Sequence, residues 1–185
     1  MAIAIEYGSD GGMALVGYGD DVGGPAPSAY LVRTDALGQE LWARGVDGAS
    51  ADEGYTVFED SVSGDLYIGG RTLGMGGPGT RGFITKFTAN GTHVWTRVID
   101  NAFDVIGIQP LTNGRFATLL RAQNIAGGHG AYDALLVTFN DQGSSLSNRL
   151  FGTAADEYPV SLSLTGSGGL LITCYRSNPG GIYAV

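Results

Sequence analysis

The sequence predicts an all-β fold built from short antiparallel strands, and three observations support this. The 185 residues include 32 glycines and only 15% charged residues, a composition rich in turn formers and too apolar for disorder. The apolar runs are short and show no helical period. One segment also recurs, as LVRTDALGQELW at 31–42, ITKFTANGTHVW at 84–95 and, less clearly, LVTFNDQGSSLS at 136–147. This spacing of about 52 residues indicates an array of similar units within a single domain, 1–185.

The first unit, residues 1–51, contains four predicted strands. They are separated by a Gly-rich turn at 8–12, a long loop at 19–28 and a tight turn at Gly38. The strands are predicted at 2–7, 13–18, 29–35 and 40–46.

The later units, at about 52–103, 104–155 and 156–185, repeat this order. Asn90-Gly91 is the strongest hairpin signal, and Gly38, Gly91 and Gly143 mark the same turn in each copy. The strands of the second unit are predicted at 55–60, 66–71, 82–88 and 93–99. In the third unit the first strand begins at Val105, the second runs from Phe116 to Arg121, and the others are at 133–140 and 145–151. In the fourth unit the strands are predicted at 159–164, 169–175 and 181–185. The fourth unit is expected to be one strand short.

Several predicted strands carry apolar residues on both sides, as at 13–16 and 170–172. Each small sheet is therefore expected to be covered on both faces. A radial stack of four-stranded sheets satisfies this requirement, which predicts a β-propeller, or an arc of one, with about four blades.

The repeat resembles bacterial propeller-repeat families with D/N-G turns and strands of the type L-V-K-x-D-x-x-G-x-x-L-W. The matching segments are SGDLYIGGRT at 63–72 with GFITKFTANGTHVW at 82–95, and DGGMALVGYG at 10–19 with AYLVRTDALGQELW at 29–42. The third unit departs from the pattern at Thr138 and Ser147, where the family has Lys and Trp. The resemblance implies a propeller but no particular activity. Members are commonly exported, whereas the N-terminus here predicts no signal peptide and leaves the compartment unassigned.

Charge and composition exclude several classes of partner. Eighteen acidic against ten basic residues give a net charge of −8, which argues against binding to a nucleic-acid backbone. No apolar run is long enough to predict a membrane span. His93 and His129 stand alone, without the spacing of a metal site, and no cofactor motif is recognised. Cys174 is the single cysteine and is interpreted as a small buried apolar residue.

The candidate binding residues are acidic. If successive strands alternate in direction, the loops at 19–28, 72–81, 122–131 and 176–180 share one face with the links between units. The acidic residues on this face are Asp20, Asp21, Asp52, Glu53, Asp104, Asp156 and Glu157. They predict either a rim that binds a cation or a polyhydroxylated ligand, or aspartates that accept backbone N–H groups locally. No catalytic residue is assigned.

Trp42 and Trp95 occupy one repeat position, which Ser147 takes in the third unit. Packing between neighbouring sheets is the favoured interpretation, and a platform of stacked indoles is the alternative.

Taken together, these features favour a non-catalytic propeller scaffold whose acidic, loop-rich face binds a protein or a glycan. The alternative is a hydrolase or lyase with a carboxylate site at the mouth of the central channel. A flat apolar side at 13–18 and 29–32 and an unpaired edge at 181–185 predict a homodimer, with seven or eight blades in total.

Overall fold

The structure, a computed structural model, describes residues 1–20, 27–46, 50–77, 79–123, 125–178 and 181–184. Within these residues the chain forms fifteen strands and no helix, so no helix of the described chain could span a membrane. The strands of the first two sheets are β1 (Ala2–Tyr7), β2 (Met13–Gly19), β3 (Ser28–Thr34), β4 (Glu40–Val46), β5 (Asp52–Glu59), β6 (Leu66–Thr72), β7 (Arg81–Phe87) and β8 (His93–Ile99). The remaining strands are β9 (Ala102–Leu111), β10 (Arg115–Gln123), β11 (Tyr132–Asn140), β12 (Ser145–Phe151), β13 (Asp156–Leu164), β14 (Leu170–Asn178) and β15 (Gly181–Ala184).

The strands form four antiparallel sheets in which sequence neighbours pair. The sheets are β1 to β4, β5 to β8, β9 to β12 and β13 to β15. The predicted all-β class and the order of the hairpins are confirmed. Each of the first three sheets has four strands, and the fourth has three strands in the described chain.

The turn between the third and fourth strand of a sheet is built from local polar contacts. Gly38, Gly91 and Gly143 have φ angles of 79°, 80° and 73°, in the left-handed region that favours glycine. The Asn140 side chain accepts hydrogen bonds from the backbone N–H of Gln142 at 3.1 Å and of Ser144 at 2.8 Å. These contacts explain why the same turn recurs in each copy of the repeat.

Three of the predicted strand starts were too late by several residues. β5, β9 and β13 begin at Asp52, Ala102 and Asp156, several residues before the predicted positions. The reason is that the second strand of each sheet continues past its apolar run and pairs with the preceding link, as in the pairs Asp52 with Thr72 and Asp156 with Ser177. The acidic residues predicted in links between units therefore lie inside strands.

Neighbouring sheets pack through the first strand of the later sheet. β5 contacts β1, β2 and β3, β9 contacts β5, β6 and β7, and β13 contacts β9, β10 and β11. Glycines permit close approach: a Cβ on Gly54 would overlap Val16, and one on Gly107 would lie 3.2 Å from the Cβ of Leu162. Residues from all four first strands line one cavity of about 470 Å³, among them Ile5, Val57, Ile108 and Leu162.

The tryptophans belong to these contacts between sheets. The indole N–H of Trp42 donates to the carbonyl of Ala89 at 3.3 Å, and that of Trp95 donates to the carbonyl of Asp141 at 2.9 Å. In each case the acceptor lies in the next sheet's turn. The packing interpretation of Trp42 and Trp95 is confirmed.

Candidate functional site

Five of the seven predicted acidic residues lie where the first strand of a sheet begins, and two of these five form ion pairs with arginines on the neighbouring strand. Glu53 pairs in register with Arg71, and Asp104 pairs in register with Arg121. We call Glu53 with Arg71 and Asp104 with Arg121 the rim pairs. Their N–O distances are 2.7 Å and 2.5 Å.

Glu53 is held by donors on two sides. Arg71 Nη2 donates to its Oε1, and the hydroxyl of Tyr55 donates to its Oε2. Burial by itself would raise the pKa of Glu53, but the hydrogen bonds from Tyr55 and Arg71 outweigh it and lower that pKa. The same surroundings raise the pKa of Tyr55, first by burial and then by its bond to Glu53. Glu53 therefore stays ionised and Tyr55 stays protonated.

Asp104 is in a drier environment and shifts in the opposite direction. Burial raises the pKa of Asp104, the charge of Glu53 adds to that rise, and Arg121 and Arg71 oppose it. Its second oxygen, Oδ1, is buried and has no hydrogen-bond partner among the described residues. The two rim pairs are thus close enough to influence each other, although they belong to different sheets.

Aromatic rings flank the rim pairs. The guanidinium of Arg71 lies 5.9 Å from the ring centre of Tyr55, and that of Arg121 lies 5.3 Å from the ring centre of Tyr132. The aromatic row continues from Tyr132 to Tyr158 at 5.4 Å and from Tyr158 to Tyr175 at 4.8 Å, where the rings are stacked with an interplanar angle of 9°. Most of these rings are half-buried, and Tyr175 is exposed.

The other predicted acids have structural partners or lie away from the rim pairs. Asp156 Oδ1 accepts hydrogen bonds from the N–H of Ala131 at 2.8 Å and of Tyr132 at 3.2 Å, so it holds the loop of the preceding sheet. Asp156 thus accepts backbone N–H groups, but from the third sheet and not, as the local interpretation expected, from its own link. Glu157 is buried and accepts from the N–H and the hydroxyl of Thr153 at 2.8 Å and 2.5 Å.

Asp52 is fully buried, and its backbone N–H donates to the carbonyl of Pro27 at 2.8 Å. Asp20 is exposed at the end of β2, and Asp21 lies outside the described residues.

The pairing register corrects the predicted equivalence of Asp52, Asp104 and Asp156. Asp52 and Asp156 lie opposite Thr72 and Ser177, whereas Asp104 lies opposite Arg121, the position that Glu53 and Glu157 occupy in their sheets. The ladder of β9 is irregular between Ala102 and Asp104, where Phe103 is an extra residue. A single insertion shifts the register by one place, which counting residues in the sequence does not detect.

The arginines at this site were missed at the sequence level. Arg71, Arg121 and Arg176 lie near the end of the second strand in three successive sheets, each opposite an acid in the first strand. Their recurrence close to the repeat spacing is the signal in the sequence that could have identified them. Their guanidinium groups make the rim less acidic than the net charge implies.

The described part of the chain contains no group of three or more His, Cys, Asp or Glu side chains able to hold a metal ion. His93 Nε2 is 2.9 Å from the hydroxyl of Thr96, and the backbone N–H of His129 donates to Asp133 at 3.3 Å.

No protein-family model matches the chain, and no curated protein does. Among solved structures, the fold is similar to the crystal structure of a protein of unknown function from Bacteroides caccae, with a TM-score of 0.57 and 12% identity. That likeness covers 100% of this chain and 59% of the other, so this chain spans little more than half of that protein's length. At this identity the likeness concerns the fold alone.

Proposed function

We propose that the four sheets are blades of a β-propeller, and that the face carrying the rim pairs binds a polyhydroxylated ligand such as a glycan, without catalysis. The observation that carries this proposal is the placement of two neutralised acid–arginine pairs in adjacent sheets beside a row of tyrosine rings.

The propeller arrangement is supported by the packing order of the sheets. The first strand of each sheet contacts the first strand of the next, and all four line one cavity. First strands that surround a shared axis are typical of propeller blades. The likeness to a longer solved chain is compatible with an array of more blades.

The chemistry of the rim favours a neutral ligand with many hydroxyl groups. Each pair offers carboxylate acceptors and guanidinium donors, and a sugar hydroxyl both donates and accepts. The pairing of Glu53 with Arg71 and of Asp104 with Arg121 leaves little net charge to attract a free cation. Tyrosine rings present apolar faces on which the C–H groups of a sugar ring can pack.

A glycan array tests this function. The wild-type chain is expected to bind a restricted set of glycans, and Tyr132→Leu and Arg121→Gln are each expected to weaken that binding about tenfold or more. Arg115→Gln, which removes an exposed arginine at the start of β10, is the control and is expected to bind as the wild type does. Unchanged binding in both rim variants would contradict the proposal.

A second candidate function rests on the opposite pKa shifts of two acids. The pKa of Glu53 is lowered and that of Asp104 is raised, the pattern of a base and an acid that share one site. A hydrolase or lyase would use Asp104 as the proton donor and Glu53 as the base. Turnover in a glycoside hydrolase and lyase panel that is abolished by Asp104→Asn would replace the non-catalytic proposal with this one.

We also propose that two copies associate. The first strand β1 exposes Ile3 at 42% and Tyr7 at 77%, and the last sheet exposes Leu164 at 42% and Leu171 at 57%. Apolar side chains grouped at both ends of an array favour association. Sedimentation equilibrium is expected to show a dimer that Tyr7→Lys weakens, whereas Leu37→Lys, in the exposed β3–β4 turn, has no effect. A monomer near 19.1 kDa at micromolar concentration would contradict this proposal.

A further inference from the structure

A cleft of about 640 Å³ opens between the third and fourth sheets. Its walls are largely apolar, and its polar lining consists of the guanidinium groups of Arg149 and Arg176, the Glu157 carboxylate and Thr153. The apolar lining consists of Leu136, Phe151, Leu170, Ile172 and Cys174. A pocket of this size with few polar groups is typical of a small-molecule site.

Arg149 occupies a position whose arginines are satisfied in the earlier sheets. Arg44 Nε donates to the carbonyl of Gly91 at 2.8 Å, and Arg97 Nε donates to the carbonyl of Gly143 at 3.1 Å. Arg149, the corresponding residue of β12, is exposed and lies 5.1 Å from the ring centre of Phe151. Its guanidinium group lines the cleft and can donate hydrogen bonds to a ligand there.

Arg176 forms no ion pair with the acid opposite it in the described chain, whereas Arg71 and Arg121 do. Arg71 and Arg121 bind the acid opposite them, but Glu157, opposite Arg176, uses both of its oxygens to accept from Thr153. The Nε atom of Arg176 is buried and has no hydrogen-bond partner in the part of the chain that the structure describes. A buried donor without an acceptor is unfavourable, and an ordered ligand oxygen would remove that cost.

We propose that this cleft binds a small carboxylate with an apolar body. The carboxylate would accept hydrogen bonds from the guanidinium groups of Arg176 and Arg149, an arrangement that favours planar anions. The apolar body would lie against Phe151, Leu170 and Ile172. None of the four residues of the rim pairs lines this cleft, so the proposal does not depend on the function proposed above.

Isothermal titration calorimetry with octanoate and octan-1-ol tests the proposal, because the two probes share an alkyl chain and differ in charge. Octanoate is expected to bind at least about tenfold more tightly than octan-1-ol, since charged hydrogen bonds add to the shared apolar contact. Arg176→Gln is expected to remove that preference, while Arg115→Gln keeps it. Leu170→Trp, which fills the cleft, is expected to abolish binding of both probes, and thermal unfolding of each variant establishes that it is folded.

Three results would overturn the proposal. One is equal affinity for octanoate and octan-1-ol, and another is an octanoate affinity that Arg176→Gln leaves unchanged. The third is an absence of octanoate binding. In that case the variant Leu170→Glu shows whether the cleft is instead a contact between two copies of this chain, because a glutamate there would disrupt the dimer.

Discussion

Trp95 on β8 contacts Gly143 in the β11–β12 turn and so joins the second sheet to the third. A Cβ built on Gly143 would lie 2.9 Å from Cδ2 of the Trp95 indole, so only glycine fits between the ring and the turn. Trp42 and Gly91 form the same contact between the first and second sheets, also at 2.9 Å. The repeated Gly in the turn and the repeated Trp in the strand are thus two halves of one contact between sheets.

Gly143→Ala is therefore expected to destabilise the fold in two ways. The left-handed φ of 73° costs a residue with a Cβ about 1 kcal/mol or more. The new methyl group would also displace the Trp95 ring, and overpacking of this kind adds roughly 1–3 kcal/mol. Urea unfolding measured at pH 7 gives the total.

Gly168→Ala separates these two contributions. Gly168 has a φ of 80°, and a Cβ there would meet no atom within 4 Å. Only the backbone cost of about 1 kcal/mol is expected for this variant. If Gly143→Ala and Gly168→Ala lowered the free energy of unfolding equally, the Trp95 ring would be shown to move aside without an energetic penalty.

A second prediction concerns Arg33, which joins the first sheet to the second. Its guanidinium lies 2.7 Å from Asp10 and 3.0 Å from Glu59, and the side chains of Arg33 and Glu59 are only 8% and 4% exposed. Arg33→Met is expected to lower the free energy of unfolding by about 3–5 kcal/mol, because it leaves the Glu59 carboxylate buried without its cation.

A double variant tests whether the unpaired charge of Glu59 causes this loss of stability. Arg33→Met combined with Glu59→Leu is expected to recover much of the loss, because no unpaired charge remains. Arg115→Met, at an exposed arginine, is expected to change the unfolding free energy by less than about 0.5 kcal/mol. If the double variant were no more stable than Arg33→Met, the loss of stability would be due to packing and not to an unpaired charge.

The sequence contained enough information to predict the sheets, because the signals for a hairpin are local. Asn90-Gly91 and the glycines at 38 and 143 specify the turns through φ angles that other residues adopt at a cost. Strand starts such as Asp52 and Asp156 were missed because pairing extends beyond the apolar runs. That extension depends on tertiary contact between strands and leaves no pattern in hydropathy.

The candidate site could be predicted only in part. The repeat spacing indicated the acids. However, the extra residue Phe103 in β9 shifts the pairing register, so Asp104 is equivalent to Glu53 and not to Asp52. The pairing of these acids with arginines depends on this register, which is set by the hydrogen bonds between the two strands. The pKa shift of Glu53 depends on hydrogen bonds and that of Asp104 on burial, and composition reveals neither.

A third prediction is a dependence of stability on pH that involves Asp141. Hydrogen bonds from Lys86 and then from Tyr67 lower the pKa of Asp141. An acid with a lowered pKa stabilises the folded state fully above its unfolded pKa of about 4, and this stability is lost as pH falls through the folded value. Asp141→Asn is therefore expected to be less stable than the wild type at pH 7, by a margin that shrinks toward pH 2.

Urea unfolding at pH 7, 5 and 3 measures that margin. Glu40→Gln, at an exposed position at the start of β4, is the control and is expected to follow the wild type at each pH. A constant margin for Asp141→Asn across this range would show that the contribution of Asp141 does not depend on its charge.

The last prediction uses Cys174 as a probe of the cleft between the third and fourth sheets, since it is the only cysteine in the chain. Burial raises the pKa of the Cys174 thiol, and the negative charge of Glu157 raises it further. Alkylation requires the thiolate, so iodoacetamide is expected to react more slowly at pH 8 than with a free cysteine. Glu157→Gln removes the charge but keeps an acceptor for Thr153, so it is expected to move the pH–rate profile toward lower pH. Glu40→Gln should leave the profile unchanged, and a profile equally unmoved in Glu157→Gln would mean that burial alone controls this thiol.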